Sequence, residues 1–331
     1  MPLFLELVRL KSRDDPDLAR RALAGLAAYE RAERPEPRPP KPEAARIGGA
    51  ALRDHGGSGP PAILVPSLIN PPHILDLDPE TSLIEAVKRI GRRVLLLDWG
   101  EAGERSDLSV AGHVEQLLAP LLSELDEPAA LVGYCLGGTM AIAAANLAPV
   151  ERVATLAAPW RFDRYPAGGR SALNQLWRSA GPSSERLGAM PMELLQAAFW
   201  SLDPERTVAK FTRFAELEPG SPRARRFVAL EDWANSGEPL PFPAARELVE
   251  DLFAADFPGS GRWSVAGRMV SAELPVPALH LTASRDRIAP AETAPPGATA
   301  RIAAGHVGMI VGSARRELHE ALLSFLAPAC R

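Results

Sequence analysis

Cysteine is nearly absent: the 331 residues hold two, Cys135 and Cys330. Two such thiols make no disulfide framework, so the expected setting is a reducing cytoplasm. The six histidines cluster neither with one another nor with the cysteines. No metal-ligand spacing results, and no metal is expected. Charge of one sign is lacking as well, since the formal net charge is −4 with 24% charged residues, which removes any electrostatic case for nucleic acid. No apolar run approaches the roughly 20 residues of a membrane span, and Met1 to Leu10 has neither a long h-region nor a cleavage site. Apart from one turn, no glycine-rich phosphate loop occurs, and no cofactor is expected. Proline is in excess, at 33 residues, about twice average usage, and concentrates in linkers and loops.

The exceptional turn is Leu131-Val132-Gly133-Tyr134-Cys135-Leu136-Gly137-Gly138-Thr139-Met140. An apolar run from Ala129 to Val132 enters it and an Ala-rich stretch from Met140 to Leu147 leaves it, so the order is strand, sharp turn, helix. That is a nucleophile elbow with sulfur in place of oxygen. Gly133 and Gly137 stand where a Cβ would strike the neighbouring strand or helix, and Gly138 lets the helix pack closely. The Leu136 N–H then points to where an oxyanion forms. A thiol nucleophile needs a base and a group that orients the base, in the chain order nucleophile, acid, histidine. Pro277 to Thr282 reads as a buried strand that delivers Asp286 in the loop at its end. Ala298 to Ile302 is a short strand followed by Gly305-His306-Val307-Gly308. His306 is therefore the expected general base on Cys135, and Asp286 the carboxylate that fixes its tautomer. His280 lies within a strand, and His55, His113 and His319 read as structural or solvated. His73 follows an early strand and is a candidate substrate contact, as are Tyr134 and Trp160.

In chain order, Asp17 to Glu33 carries apolar residues at helical spacing and ends in a Pro-rich linker, Glu33 to Pro42. Pro61 to Pro66 reads as a buried strand, and the loop after it supplies a second oxyanion N–H from Ser67 or Leu68. A helix is expected from Asp78 to about Ile90, a strand from Arg93, a helix from Leu108 to Leu125, then the elbow and a strand from Arg152 to Ala157. Strands alternating with helices, and continuously apolar, mean a mostly parallel sheet covered on both faces: an α/β fold. The alternation stops at Ala158. Helices are expected at Met190 to Leu202, Thr207 to Leu217 and Arg223 to Ala234, in a region that holds five of the six tryptophans. The expected organisation is 1–44, helix and linker; 45–158, first part of the core; 159–272, helical lid; 273–331, second part of the core.

Gly-Tyr-Cys-Leu-Gly-Gly is shared by two cysteine families of the α/β-hydrolase fold, the dienelactone hydrolases and the polyhydroxyalkanoate synthases. Further segments separate them. Ile63 to Asn70, Ile74-Leu75-Asp76-Leu77, Ser82-Leu83-Ile84 and Leu97-Asp98-Trp99-Gly100 resemble the synthase pattern. So do Asp286-Arg287-Ile288-Ala289-Pro290 and Gly305-His306-Val307-Gly308. The chain thus resembles the short synthases from about Pro61 onward. It departs from them at Arg287, where the synthases usually have His, and at Ile310-Val311-Gly312-Ser313, where they usually have an Asn-Pro-Pro segment. The resemblance implies an acyltransferase moving a 3-hydroxyacyl group from coenzyme A to Cys135 and on to a hydroxyl. It also implies a second synthase subunit or a homodimer as partner, and attachment to polymer granules. A Cys-His-Asp hydrolase acting on a thioester, lactone or oligomer stays open beside it, as does a non-catalytic granule or synthase partner.

Overall fold

The computed structural model describes residues 2–36 and 38–327; Cys330 lies outside them. The strands in chain order are β1 (Glu43–Ile47), β2 (Ala50–Asp54), β3 (Pro61–Val65), β4 (Arg93–Asp98), β5 (Ala130–Tyr134) and β6 (Arg152–Leu156). Two short pairs follow, β7 (Ala189–Met190) with β8 (Leu240–Pro241) and β9 (Ser264–Val265) with β10 (Arg268–Met269). Last come β11 (Ala278–Ala283) and β12 (Thr299–Ile302). The main sheet has eight strands in the order β1-β2-β4-β3-β5-β6-β11-β12, parallel from β4 to β12 and antiparallel at the β1-β2-β4 edge. One apolar row crosses five strands, Leu95–Ile63–Leu131–Val153–Ala278. Every residue of β3 and β5 is buried, as strands covered on both faces require. With structural neighbours described below, this is the α/β-hydrolase fold.

Three features of the fold depart from expectation. The β1–β2 hairpin is absent from the sequence reading because its strands are short and rich in alanine, a weak strand former; Gly48, at φ +54, makes the turn. The helix expected from Asp78 begins later, at Leu83. The Asp78 carboxylate accepts the N–H groups of Glu80 and Thr81, closing a local turn, and Ser82 caps the helix by accepting from Glu85 N at 3.0 Å. A 21-residue helix, Ala167–Leu187, was also hidden from sequence. Gly168, Gly169, Gly181 and Pro182 all argue against helix locally. Packing overrides them, with Trp177 stacked on Phe242 at 5.8 Å and its indole N–H donating to Glu250 at 2.8 Å.

The chain divides into two compact units. The sheet unit comprises residues 40–191 and 238–331, and the second unit joins the N-terminal segment up to Pro39 to Met192–Gly237. In the second unit the helices are Pro2–Lys11, Pro16–Arg31, Met192–Ser201, Pro204–Phe214 and Pro222–Asn235. Its own core is built from Phe4, Val8, Leu26, Tyr29, Phe211 and Phe214 among others. Gly25 has no room for a Cβ, which would lie 1.9 Å from the Phe211 carbonyl oxygen, so the helices Pro16–Arg31 and Pro204–Phe214 meet backbone to backbone. The Tyr29 hydroxyl donates to Asp232, whose carboxylate also receives Arg34. The helical segment read between Asp17 and Glu33 thus packs on part of the stretch read as lid, a long-range pairing that no local pattern announces.

In the sheet unit, Arg92 is fully buried and spans three elements. Its guanidinium pairs with Glu151 at the start of β6 and donates to Leu326 O, at the end of the last helix, at 2.7 and 2.9 Å. Arg92→Ala leaves the Leu326 carbonyl without its donor and Glu151 with Arg152 alone, so it is expected to cost about 2 kcal/mol or more of stability. Denaturant unfolding of the variant checks this.

Candidate active site

The Gly-x-Cys-x-Gly-Gly turn joins β5 to the helix Leu136–Ala145. Cys135 sits at φ 55 and ψ −131, a conformation rare for a residue with a side chain. Both its neighbours hold it there. Cys135 N donates to Leu156 O on β6 at 2.9 Å, and Cys135 O accepts Gly138 N at 2.9 Å. The glycines stand where space runs out. A Cβ on Gly133 would lie 2.4 Å from the Gly138 Cα, one on Gly137 2.2 Å from the Val65 carbonyl oxygen, and one on Gly138 2.4 Å from the Ala158 Cβ. The strained backbone is therefore fixed by packing on three sides, and the thiol remains partly exposed.

Asp286 and His306 arrive from the ends of β11 and β12. The Asp286 carboxylate is fully divided. One oxygen accepts the N–H groups of Ile288 at 2.8 Å and Ala289 at 2.9 Å, and the other accepts His306 Nδ1–H at 2.7 Å. That fixes Nδ1 as the donor and leaves Nε2 unengaged by the acid, with Cys135 close enough for its charge to act on the ring. Burial disfavours the imidazolium, but the charges of Asp286 and Cys135 and the hydrogen bond to Asp286 outweigh it, and the His306 pKa is pushed up to about 10. The sign of the linkage follows. A pKa raised above the ordinary 6.5 contributes stability that is complete below that value and lost as pH climbs through about 10. Thermal unfolding of the wild type is expected to weaken across this window more steeply than that of His306→Gln.

The imidazole is backed by Tyr134. The two rings lie 5.0 Å apart at a tilt of 32°, and the Tyr134 hydroxyl donates to His306 O at 3.4 Å. Burial, reinforced by the charges of Cys135 and Asp286, holds the Tyr134 phenol far above its ordinary pKa, so it stays a neutral donor. Arg285 ties the acid and histidine loops together, its N–H donating to Ala304 O and its guanidinium to Ala303 O, each at 2.8 Å.

The loop after β3 lies beside the elbow, since Gly137 packs on the carbonyls of Val65 and Pro66. Ser67 and Leu68 follow directly and are buried, with the Ser67 hydroxyl accepting from Ile69 N at 3.4 Å. Trp99 holds this loop by donating its indole N–H to Pro66 O at 3.2 Å. Leu136 opens the elbow helix with its N–H free of a side-chain cap. The remaining candidates lie apart from this cluster or within the packing around it. His73 is exposed on the short helical turn Pro72–Asp76. Trp160 is buried edge-on against Trp263, 6.0 Å between centroids.

Tyr165 is a neighbouring residue that sequence reasoning did not single out. Burial first, and then the charges of Cys135 and Asp286, raise its pKa well above the ordinary phenol value, so it lies within electrostatic reach of both. Its hydroxyl donates to Ile288 O at 2.9 Å, and its ring packs on Phe162 and Phe253. The available signal was its place in the aromatic-rich run just after β6, Trp160 to Tyr165.

Against known proteins the geometry has a context. No family model matches the chain. The poly(3-hydroxyalkanoate) polymerase subunit PhaC of Haloferax mediterranei is 27% identical over 277 residues, covering 76% of this chain and 55% of that protein. The polymerase subunit PhaC of Haloarcula marismortui is 25% identical over 288 residues, covering 81% and 61%. The chain resembles these polymerase subunits in sequence. It spans little more than half the length of these two relatives. The monoacylglycerol lipase of Paleococcus ferrophilus superposes on this synthase-like chain with a TM-score of 0.52 at 18% identity, over 83% of this chain and 98% of that one; this likeness is one of fold. Among the described residues no group of His, Cys, Asp and Glu is arranged to hold a metal ion, and no helix is long and apolar enough to cross a membrane.

Proposed function

We propose that this chain is a synthase-like acyltransferase that takes a 3-hydroxyacyl group from coenzyme A onto Cys135 and passes it to a hydroxyl acceptor. The observation that carries the reading is a thiol at a strained elbow whose charge acts on His306, itself hydrogen-bonded to Asp286. The sequence likeness to PhaC polymerase subunits supports the substrate class.

The steps follow from the groups present. The Cys135 sulfur, its proton passed to His306, attacks the thioester carbonyl. The oxygen gains negative charge and is met by the Leu136 N–H and by an N–H of Ser67 or Leu68. Collapse expels the coenzyme A thiolate, which takes the proton from the His306 imidazolium. One thioester has replaced another, so the step is nearly neutral in energy and the acyl group stays activated. His306, now neutral, accepts the proton of an incoming hydroxyl as its oxygen attacks the acyl carbon. The proton returns to the Cys135 sulfur as it leaves, and an ester is released. Asp286 supports the imidazolium throughout without taking its proton. On this reading the protein partner is a second synthase subunit or a second copy of this chain, at the surface of a cytoplasmic polymer granule.

Incubation with 3-hydroxybutyryl-coenzyme A, following thiol release and product mass together, tests the reading. Thiol release with growing oligomers is the expected result. Release with only free 3-hydroxybutyrate means that water takes the acyl group, and the protein is then a hydrolase on a synthase-like scaffold.

A further inference from the structure

Away from the cysteine, a cavity of about 440 Å³ opens where the helices Leu83–Lys88 and Arg315–Leu326 lie against each other, lined by Glu80, Ser82, Arg89, Arg315, Arg316 and His319. Its charge is unbalanced. Three guanidinium groups face a single carboxylate, that of Glu80. Arg315 is held in place by backbone oxygens, donating to Glu80 O and Gly312 O at 3.1 Å each, which orient it without neutralising it. The Arg89 and Arg316 side chains make no hydrogen bond or ion pair among the described residues.

Two further features make this arrangement costly for the chain by itself. Arg315 and Arg316 occupy the first turn of a 12-residue helix, where the helix dipole disfavours cations. His319 lies between the arginines with its Nε2 buried and without a hydrogen-bond partner among the described residues. Burial first, and then the charges of Arg89 and Arg315, lower its pKa to about 4, so it faces them as a neutral ring. Solvated arginines normally spread apart. Arg89 and Arg316 are exposed, yet with Arg315 they line one concavity against the local electrostatic preference, as groups do when the partner they serve is a ligand. The volume falls in the range of small-molecule sites, and a guanidinium fork matches two oxygens of a phosphate.

We propose that this cavity binds a phosphate ester, with Arg89 and Arg316 on the phosphate oxygens and Arg315 as a fixed charge behind them. Position suggests where the phosphate comes from. Residues 79–82 continue the segment that carries Ser67 and Leu68, and Arg315 follows the His306 loop by a few residues. Both helices begin after C-terminal ends of parallel strands, the edge of the sheet that bears Cys135. A phosphate-bearing acyl carrier, held here by its nucleotide end, is the ligand this placement favours; that part rests on the acyl-coenzyme A reading above. A free phosphate metabolite offers the same chemistry.

Titration calorimetry on the full chain with adenosine 3′,5′-bisphosphate and with inorganic phosphate, wild type against the Arg89→Ala/Arg316→Ala double variant, tests the site. The wild type is expected to bind the bisphosphate with an affinity that falls as salt is raised, and the variant to bind it about tenfold or more weakly. Kinetics separate the two sources. If the phosphate belongs to the substrate, preference for a coenzyme A thioester over the N-acetylcysteamine thioester of the same acyl group, read as a ratio of kcat/KM, falls about tenfold in the variant. Binding lost with that ratio unchanged assigns the cavity to a free phosphate metabolite. Absence of heat with either anion, or equal binding by wild type and variant, overturns the proposal. The calorimetric arm requires no turnover, so a failure of the acyltransferase reading and a failure of this site are told apart.

Discussion

Cys135→Ala is expected to lower thiol release from 3-hydroxybutyryl-coenzyme A by about a thousandfold or more, while the variant still unfolds cooperatively near the wild-type temperature. The kinetic part follows from removing the atom that the proposed mechanism acylates. The stability part follows from the elbow's construction. What holds Cys135 at φ 55 is its own backbone, bonded to Leu156 and Gly138, together with the close packing of three glycines. Alanine keeps the same Cβ and the same backbone bonds, and loses only a partly exposed sulfur. A glycine-to-alanine change at position 137 has the opposite profile, because its Cβ would strike the Val65 carbonyl oxygen and the elbow could not close. Cys135→Ala that retains activity would remove the nucleophile from the mechanism altogether, and intact-protein mass spectrometry for an acyl adduct on the wild type gives an independent check.

Asp286→Asn is the second large effect, expected to reduce turnover by about a thousandfold to ten-thousandfold with little change in fold. The carboxylate accepts three N–H groups, two from the backbone and one from His306. An amide offers a single oxygen. If that oxygen stays with Ile288 and Ala289, the amide N–H₂ faces the ring and the imidazole is driven to the other tautomer, with its proton toward the thiol. The His306 pKa, held at about 10 partly by the Asp286 charge, falls toward the ordinary value of 6.5. Imidazole chemical shifts followed against pH read this directly, and a midpoint unmoved by the substitution would mean that Asp286 does not set the protonation of His306.

The chemistry was legible because it is written locally. The order strand, Gly-x-Cys-x-Gly-Gly, helix can be read over ten residues, and the acid and histidine each sit directly after an apolar run. The strands β3 to β6 and β11 were readable for the same reason, since burial on both faces demands continuous apolar residues, whereas β12 is an edge strand with Thr299 and Arg301 exposed. Sequence failed where local preference and tertiary packing disagree. The alanine-rich β1 and β2 look weak as strands yet complete the sheet edge beside β4. The helix Ala167–Leu187 carries glycines and an internal proline that predict its absence, and is held by Trp177 against Phe242 and Glu250.

The long-range pairings were out of reach for a different reason. Joining the first helices to residues 192–237 depends on Gly25 meeting Phe211 and on Tyr29 reaching Asp232, contacts across about two hundred residues that leave no periodic trace. The same holds for Tyr165 within electrostatic reach of Cys135 and for the arginines of two separate helices meeting at His319. The sequence by itself determined the class of fold and picked out Cys135, Asp286 and His306 as candidates, because each is marked by a short local pattern. Only the tertiary structure decided which nitrogen of His306 faces the acid, which side chains pack around the imidazole, and where arginines of separate segments collect. Those outcomes are set by distances between segments far apart in the chain.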